Sequence, residues 1–353
     1  MTIGLLIVLA LIFILPFAFR SIEHNLEYFL LIMGVATVLI SGTFSLDLIL
    51  HIFGNYLLYF ITAAVLIAGF IFRISVKKIK TFINYVTVQM PLTLFIFLLI
   101  VILGLVSSLI TAIVAALVLV EIVHALPFNH KQKVTLTILA CFSIGLGAAL
   151  TPIGEPLSTI VVSSLKVDFF YLLRSIGLYT IPCIFALGLL GALYIGRTYK
   201  TVKSDTEIEE TKESLLEQEN IVETESLKDV FIRAFKIFLF VIALELLGAG
   251  FKPLINTYII HLDSRILYWI NMCSAVLDNA TIAAAEISPA MSLQQIQAIL
   301  MGLLLSGGML IPGNIPNIIS AGKLNIKSRE WAKVGVPLGL VLLLIYFVIV
   351  FII

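Results

Sequence analysis

Residues 274–286 read SAVLDNATIAAAE, a polar stretch in strongly apolar surroundings. It places an acid, an amide and a hydroxyl close together at Asp278, Asn279 and Thr281, and a second acid at Glu286. A charged side chain near the centre of a membrane helix costs roughly 3 kcal/mol on insertion scales, so a carboxylate there is by default a functional-site hypothesis. We therefore expect a functional site at this stretch and a scaffold for it in the remaining segments.

The composition is that of a helical membrane protein. Of 353 residues, 61% are hydrophobic and 12% are charged, whereas about a quarter of residues are charged in soluble domains. Apolar segments of about 20 residues recur along the chain, as expected for helices crossing a core ~30 Å thick and unlike a membrane β-barrel. We predict an all-α polytopic protein with about 10–12 membrane segments, multi-pass in the cell (inner) membrane.

Two proline-rich interruptions stand within apolar helical segments. They read TPIGEP at 151–156 and PGNIPN at 312–317. Each proline removes a backbone donor and collides with the preceding helical turn, so we predict broken helices at 151–157 and 312–317. A broken helix frees carbonyls and exposes half-helix ends, which can replace the water that an ion loses on entering the membrane.

The two halves of the chain repeat one order of elements. The pairs Leu150/Leu310, Pro152/Pro312 and Pro156/Pro316 share an offset of 160 positions. We predict a first membrane half at 1–196, an acidic soluble linker at 197–228 and a second membrane half at 229–353. By the positive-inside rule, the loops at 130–133 and 323–333 lie with the linker on the cytoplasmic side. The side of the basic run at 73–80 stays open.

These motifs resemble those of the ion transporter superfamily, which includes NhaD-type sodium/proton antiporters, the arsenite-efflux membrane subunit and dicarboxylate/sodium symporters. Residues 274–281 are similar to a hairpin-tip motif with an Asp-Asn pair, and GNIPN at 313–317 is similar to the Gly-Asn-Pro-type break that follows it. The chain also resembles a prokaryotic group of predicted cation transporters of unknown function.

The resemblance implies two inverted repeats, each with a hairpin and a broken helix that meet at a central site. The implied hairpins lie near 107–124 in the first half and near 270–290 in the second half. It implies site residues in three groups: Asp278, Asn279 and Thr281 at one hairpin tip, Asn314 and Asn317 at the facing break, and Thr111, Thr151, Glu155 and Ser158 in the pseudo-symmetric positions. The first half has Ile110-Thr111 where the second has Asp278-Asn279, so a second ion site there stays open.

Buried oxygen ligands favour a cation as the cargo. Carboxylates, amide oxygens, hydroxyls and freed carbonyls are the hard ligands that such ions need. A carboxylate in apolar surroundings is harder to ionise, so a proton and a sodium ion can compete for it near neutral pH. We predict a sodium (or other monovalent cation)/proton antiporter, in which Asp278 carries the exchangeable ion and Asn279 and Asn314 help to hold sodium.

Several alternatives remain. Glu155 either belongs to the site or satisfies backbone donors at a helix start, and Glu286 either joins the site or reaches the membrane interface. Half-helix N-termini also suit sodium-coupled transport of a small carboxylate or oxyanion. The chain lacks Gly-x-Ser-x-Gly, Gly-x-Gly-Asp and His-Glu-x-x-His motifs, so an intramembrane enzyme is a remote alternative.

The expected partners follow from this interpretation. They are the lipid bilayer, a monovalent cation and the proton, with a homodimer left open. A formal net charge of +1 does not favour nucleic acid as a partner. We expect no cofactor besides the transported cation.

Overall fold

The structure, a computed structural model, describes residues 1–19, 22, 25–55, 58–59, 62–63, 66–67, 70, 90–202, 227–254, 257–258, 261–275 and 279–352. Within these ranges the chain forms helices joined by short loops and contains no strand. Three sequence predictions fall outside the described residues: the basic run at 73–80, positions 203–226 of the linker, and Asp278.

The described helices follow one another in an order that is similar in the two halves. The first half contains α1 (Thr2–Ala18), α2 (Leu26–Ser41), α3 (Leu46–Gly54), α4 (Leu92–Ile110), α5 (Ala112–Ala125), α6 (His130–Ala148), α7 (Pro156–Leu165) and α8 (Tyr171–Val202). The second half contains α9 (Leu227–Leu254), α10 (Ser264–Ile270), α11 (Asn279–Glu286), α12 (Leu293–Gly307), α13 (Ile315–Lys323) and α14 (Ser328–Phe351). Short 3₁₀ turns form at Asn271–Ala275 and Ile311–Gly313.

Three of these helices are long and apolar enough to cross a membrane, by length and composition. They are α4, the Tyr171–Thr198 part of α8, and α14. The described part also contains shorter apolar helices, among them α5, α7 and α12. The described part is therefore a helical structure typical of a membrane protein, as the sequence predicts.

Local sequence signals explain where the two central helices begin. Asn129 caps α6 by accepting from the Gln132 amide, and the Gln132 side chain accepts from the Asn129 amide. Ser292 and Gln295 form the same capping box at the start of α12. Each box satisfies two amide donors that a helix start leaves without intrahelical partners.

Helix α8 shows that α6 and α12 enter the bundle from opposite ends. Its 32 residues span ~48 Å. Near its C-terminal end, Thr198 accepts a hydrogen bond from Gln132 of α6 at 3.2 Å. Near its N-terminal end, the Ser175 carbonyl accepts from Gln297 of α12 at 2.7 Å.

The loops predicted to be cytoplasmic lie at one end of the molecule. His130 Nε2, at the start of α6, lies 3.1 Å from Glu330 Oε1, in the first turn of α14. Thr198, close to the predicted linker, bonds to the same end of α6. The predicted loop 130–133 is the first turn of α6, and the predicted loop 323–333 spans the end of α13 and the first turns of α14. Both therefore share this end of the molecule with the end of α8.

A hairpin enters the first half from that same end. Helix α4 begins beside the C-terminal part of α8, where a Cβ added to Gly196 would lie 3.0 Å from Thr93 Cγ2. Helix α5 runs back to this end, because Lys133 Nζ at the start of α6 donates to the His124 carbonyl near the end of α5 at 3.0 Å. The turn lies at Thr111, since α4 continues to Ile110.

Helix α9 packs along α2 beside this bundle. A Cβ added to Gly34 of α2 would lie 2.8 Å from the Ala243 carbonyl of α9, so the two backbones approach as closely as a small residue allows. Lys236 of α9 also pairs with Glu27 of α2 at 3.4 Å. Helix α9 also contacts α7 and α11, and thus links α2 to the elements around the two breaks.

Candidate functional site

Both predicted helix breaks are present, and each begins a few residues earlier in the sequence than predicted. Helix α6 ends at Ala148 and α7 begins at Pro156, while α12 ends at Gly307 and α13 begins at Ile315. The later proline of each pair lies within the first turn of the following helix. Proline fits there because first-turn amides have no intrahelical acceptor.

Asn317 of α13 holds the second break together. Its Nδ2 donates to the carbonyls of Gly307 and Leu310, both at 2.9 Å. Trp331 of α14 donates through Nε1 to the Gly308 carbonyl at 3.1 Å. Side chains thus satisfy these carbonyls, and the two bonds of Asn317 fix the direction of its Oδ1.

The second hairpin lies directly against this break. A Cβ added to Gly313 would lie 2.6 Å from the Ser274 carbonyl and 3.1 Å from the Ala275 carbonyl. A Cβ added to Gly307 would lie 3.6 Å from Ser274 Oγ and 3.8 Å from Asn279 Nδ2. Glycine at both positions therefore lets the backbone of the break approach polar atoms of the hairpin.

Three buried polar atoms at this junction have no hydrogen-bond partner in the part of the chain that the structure describes. They are Ser274 Oγ, Asn279 Nδ2 and Asn317 Oδ1, and the three residues are between 0% and 3% exposed. A buried polar atom without a partner costs about 1–3 kcal/mol. Rotating the Asn279 amide by about 180° would exchange its oxygen and nitrogen positions. The junction thus offers a hydroxyl and two amides to a ligand, and we call it the Ser274–Asn279–Asn317 cluster.

Two predicted site residues lie next to this cluster in sequence. Asp278 is outside the described residues, and its covalent neighbour Asn279 belongs to the cluster. Thr281 lies in α11, two residues after Asn279, and its side chain is also outside the description.

The corresponding hydroxyls of the first half are engaged in internal hydrogen bonds. Thr151 donates to the Ser108 carbonyl, and Ser158 donates to the Ala148 carbonyl at 3.3 Å. Thr111 Oγ1 accepts from the Val114 amide at 3.4 Å. These three predicted site residues fix the first hairpin and the first break.

Thr111 has an unusual backbone conformation. Its φ of 75° and ψ of 149° lie in a region that a β-branched residue rarely adopts. Immediately after it, the Ala112 amide donates to the Gly154 carbonyl at 2.7 Å. The first hairpin tip is therefore tied to the first break through the backbone.

The two breaks match at an offset of 159 positions, one fewer than the prolines indicate. Helices α6 and α12 end at Ala148 and Gly307, and the N-cap residues of α7 and α13 are Glu155 and Asn314. The bond from Ser158 to Ala148 likewise corresponds to the bond from Asn317 to Gly307. Proline does not fix the register, since it is accepted at more than one position of the first helical turn.

Glu155 and Asn314 share an extended backbone conformation, with φ −154° in each case. Neither side chain caps the helix that follows it, so the capping interpretation of Glu155 is not supported. Glu155 is 4% exposed. Asn314 Nδ2 would lie 2.6 Å from a Cβ added to Gly145. The predicted sodium ligand Asn314 therefore faces α6 of the first half, whereas Asn279 and Asn317 gather at Gly307.

Glu286 joins the two arms of the second hairpin. Its Oε2 accepts from Asn271 Nδ2 at 2.9 Å, and the same nitrogen donates to the Leu267 carbonyl at 2.8 Å. The residue is 8% exposed, so it is buried inside the protein and does not reach the surface.

The helices next to the breaks also contact the opposite half. Helix α5 of the first hairpin contacts α13, and α11 of the second hairpin contacts α7. Cys141 of α6 approaches the Pro316 carbonyl at 3.6 Å and Ser320 Oγ at 3.4 Å. The two hairpins and the two breaks are thus packed into one central region.

Sequence reasoning missed Ser274 and Trp331 as parts of the site. Ser274 stands in the opening stretch, but a serine in a helix commonly bonds to its own backbone, so its type gives no signal. Trp331 is separated from the break by fifteen or more residues and is fully buried. Of the described His, Cys, Asp and Glu side chains, no three form a group that could hold a metal ion.

Fold and site together define a class, a helical membrane protein whose interrupted helices enclose buried polar groups. The chain belongs to the family described as Protein of unknown function (DUF1646), which it matches over residues 2–353. No curated protein matches it.

Proposed function

We propose that this protein is a secondary active transporter that exchanges sodium, or another monovalent cation, for protons. The cation binds at the Ser274–Asn279–Asn317 cluster together with the Asp278 carboxylate. The observation that carries the proposal is the group of partnerless buried atoms, Ser274 Oγ, Asn279 Nδ2 and Asn317 Oδ1, where a hairpin meets a broken helix. A bound cation would supply the partner that the oxygen atoms lack.

The charges around the breaks favour a cation over an anion. Two charged side chains in the described part are buried, Glu155 and Glu286, and both are acids. Glu155 is the N-cap residue of α7, where an anion would otherwise meet free backbone amides. Sodium-coupled anion transport therefore has less support than cation/proton exchange.

Proton coupling follows from competition at one carboxylate. In apolar surroundings the ionised form of Asp278 is costly unless a cation or a proton compensates it. A site that accepts either ion, but not both together, exchanges one for the other whenever it opens to alternate sides. No second cargo site is needed for antiport.

Alternating access is supported by the opposed directions of the two halves. Helices α6 and α12 begin at opposite ends of α8, and each runs into a break near the centre. Such an arrangement agrees with inverted repeats, which let one site open first to one side and then to the other. In this mechanism the hairpins and breaks move around the bound ion.

The proposal is tested with purified protein in liposomes that contain a pH-sensitive dye. We expect external sodium to raise the internal pH, because entering sodium drives protons out. A scan over sodium, lithium and potassium gives the ion preference. If no cation changes the internal pH while sodium drives uptake of a labelled dicarboxylate, anion symport replaces the proposal.

A further inference from the structure

Glu286 and Asn271 form a buried contact of their own within the second hairpin. Asn271 is fully buried, and Glu286 is 8% exposed. The Asn271 amide nitrogen donates to Glu286 Oε2 at 2.9 Å and to the Leu267 carbonyl at 2.8 Å. The oxygen of the same amide, Oδ1, has no hydrogen-bond partner among the described residues. One amide group thus presents an engaged donor and an unused acceptor next to a buried carboxyl group.

The Leu267 carbonyl fixes the orientation of this amide. The nitrogen and oxygen of an asparagine side chain are told apart by their hydrogen-bond partners. If the two atoms of Asn271 were exchanged, Oδ1 would face the Leu267 carbonyl, and two acceptors with no hydrogen between them repel each other. The nitrogen therefore stays directed at Leu267 and Glu286, and the oxygen keeps its unused lone pairs.

The protonated form of Glu286 matches this amide better than the ionised form does. An ionised carboxylate only accepts hydrogen bonds, so it leaves Asn271 Oδ1 without a donor. A protonated carboxyl group has one acceptor and one donor, and it can pair with an amide through two parallel hydrogen bonds. Burial also disfavours the charged form of a carboxyl group. A proton on Glu286 therefore supplies the donor that the buried amide oxygen lacks.

Among the described residues, no counter-charge holds Glu286 in its ionised form. Its polar partner is Asn271, which is neutral. Helices α7 and α12, which pack against α11, contain no charged or titratable side chain. The other elements next to Glu286 or Asn271 are α9, α10 and the 3₁₀ turn at Asn271–Ala275, and their charged or titratable residues are Lys228, Asp229, Arg233, Lys236, Glu245, Lys252, Arg265, Tyr268 and Cys273. Of these, Lys236 pairs with Glu27, and the Tyr268 hydroxyl donates to a carbonyl of α14.

Asn271 connects this pair to the second break. Its carbonyl accepts from Ser306 Oγ of α12 at 3.0 Å. Ser306 directly precedes Gly307, where the break begins. Ser274 of the cation cluster follows Asn271 by three residues in the same 3₁₀ turn. The contact between Glu286 and Asn271 therefore holds the hairpin arm that carries Ser274.

We propose that Glu286 is a proton-binding site, separate from the cation cluster, and that the Asn271 amide is the group that recognises the bound proton. Protonated Glu286 accepts from Asn271 Nδ2 and donates to Asn271 Oδ1, so two hydrogen bonds join the arms of the hairpin. Loss of the proton breaks the second bond and leaves a negative charge beside Oδ1, which loosens the arms. The proton comes from bulk water and returns to it, so no other reactant is needed. Proton binding at Glu286 does not rest on the proposed cation exchange.

Infrared spectroscopy of the purified full-length protein tests this proposal. An Asp278→Asn background removes the carboxyl group of the proposed exchange. Ordinary carboxyl groups ionise near pH of about 4, whereas we expect a protonated-carboxyl band of Glu286 that persists to neutral pH. Glu286→Gln should remove this band. Glu27→Gln is the matched control and should leave it unchanged, because Glu27 pairs with Lys236.

A substitution of Asn271 tests the pairing itself. In Asn271→Leu the acid carbonyl of Glu286 loses its donor, so the band should shift to higher frequency. The proposal is overturned if Glu286→Gln retains the full band at neutral pH, or if Asn271→Leu leaves the band at its original frequency.

Thermal unfolding in detergent gives a second, independent measurement. In Glu286→Gln the new amide can form the same two bonds with Asn271 at every pH. In the original protein the unfolded chain loses the Glu286 proton near pH of about 4 and the folded protein keeps it to higher pH, so stability falls as the pH rises through the range in which the folded carboxyl group ionises.

We therefore expect the melting temperature of the original protein to fall more steeply with rising pH than that of Glu286→Gln. An equal pH dependence of the two proteins would overturn the proposal. If sodium moves no protons in liposomes, the proposed function fails, and the infrared and unfolding results still decide whether Glu286 binds a proton.

Discussion

The nitrogen and the oxygen of the Asn317 side-chain amide have different surroundings. Its nitrogen donates to the carbonyls of Gly307 and Leu310, and its buried oxygen has no hydrogen-bond partner among the described residues. Ser158, at the equivalent position of the first break, has one hydroxyl, which donates to the Ala148 carbonyl. The difference between an amide and a hydroxyl thus gives only the second break a spare buried oxygen at this position.

Asn317→Ala should lower both stability and cation affinity. The buried Gly307 carbonyl and the half-buried Leu310 carbonyl lose their donor, which costs roughly 2 kcal/mol, and the cation loses a ligand. We expect the cation Kd to rise about tenfold or more, a change of about 1.4 kcal/mol in binding free energy. Thermal unfolding in detergent and equilibrium sodium binding measure the two effects.

Ser158→Ala is the matched control for this substitution. It removes one hydrogen bond, worth about 1 kcal/mol, at the structurally equivalent position. We expect a small loss of stability and no change in sodium affinity. An equal loss of affinity in both variants would mean that the first break also binds the cation.

Individual site residues were predictable from type, but their orientation was not. The Asp-Asn pair and the Asn-x-x-Asn break were singled out because buried amides and acids are costly in a membrane, and the structure brings Ser274 and Asn279 against Gly307 and Gly313 of the break. Which asparagine faces the hairpin depends on the rotation of α13, and the structure turns Asn314 to Gly145 and Asn317 to Gly307. The sequence pattern does not determine the rotation of α13 about its axis.

The backbones of the second hairpin and the second broken helix are in direct contact. Gly313 of the break packs against the carbonyls of Ser274 and Ala275, and Gly307 packs beside Asn279. The prolines indicated that the helices break, and the resemblance of residues 274–281 to a hairpin-tip motif indicated the hairpins. The register of the two breaks came only from the structure, because the position of a proline within a first helical turn varies.

Gly313→Ala should separate the hairpin from the break. The new Cβ would lie 2.5 Å from the Gly307 carbonyl and 2.6 Å from the Ser274 carbonyl, which is closer than these atoms tolerate. We expect a loss of about 1–3 kcal/mol in stability and a loss of sodium binding. Thermal unfolding and sodium binding in detergent give the measurement.

Gly322→Ala provides the comparison within the neighbouring helix. Among the described residues, no atom outside the local backbone of α13 lies within 4 Å of a Cβ at Gly322. Alanine is the better helix former, so stability should rise by up to about 1 kcal/mol, with sodium binding retained. Equal behaviour of the two alanine variants would contradict the close packing described for Gly313.

At the scale of the whole molecule, the two halves enter the bundle from opposite ends. His130 and Glu330 meet at one end, while Gln297 bonds to Ser175 near the other. The sequence predicted which loops share a side from their basic residues. It did not show that α9 joins the two halves by contacting both α7 and α11.

Side-specific labelling tests this arrangement. In a background without Cys141, Cys183 and Cys273, single cysteines at Lys131 and Arg329 should react with an impermeant thiol reagent from one side of the membrane. Cysteines at Asp168 and Asp263, next to the starts of α8 and α10, should react from the opposite side. Labelling of all four positions from the same side would contradict the opposed entry of the two halves.

In the proposed function, the Asp278 carboxylate binds sodium and protons in competition. The most direct test is sodium-driven proton movement in liposomes with Asp278→Asn, compared with Glu155→Gln at the first break. We expect Asp278→Asn to abolish proton movement, because the exchangeable group is gone, and Glu155→Gln to retain it. Full proton movement in Asp278→Asn would contradict the claim.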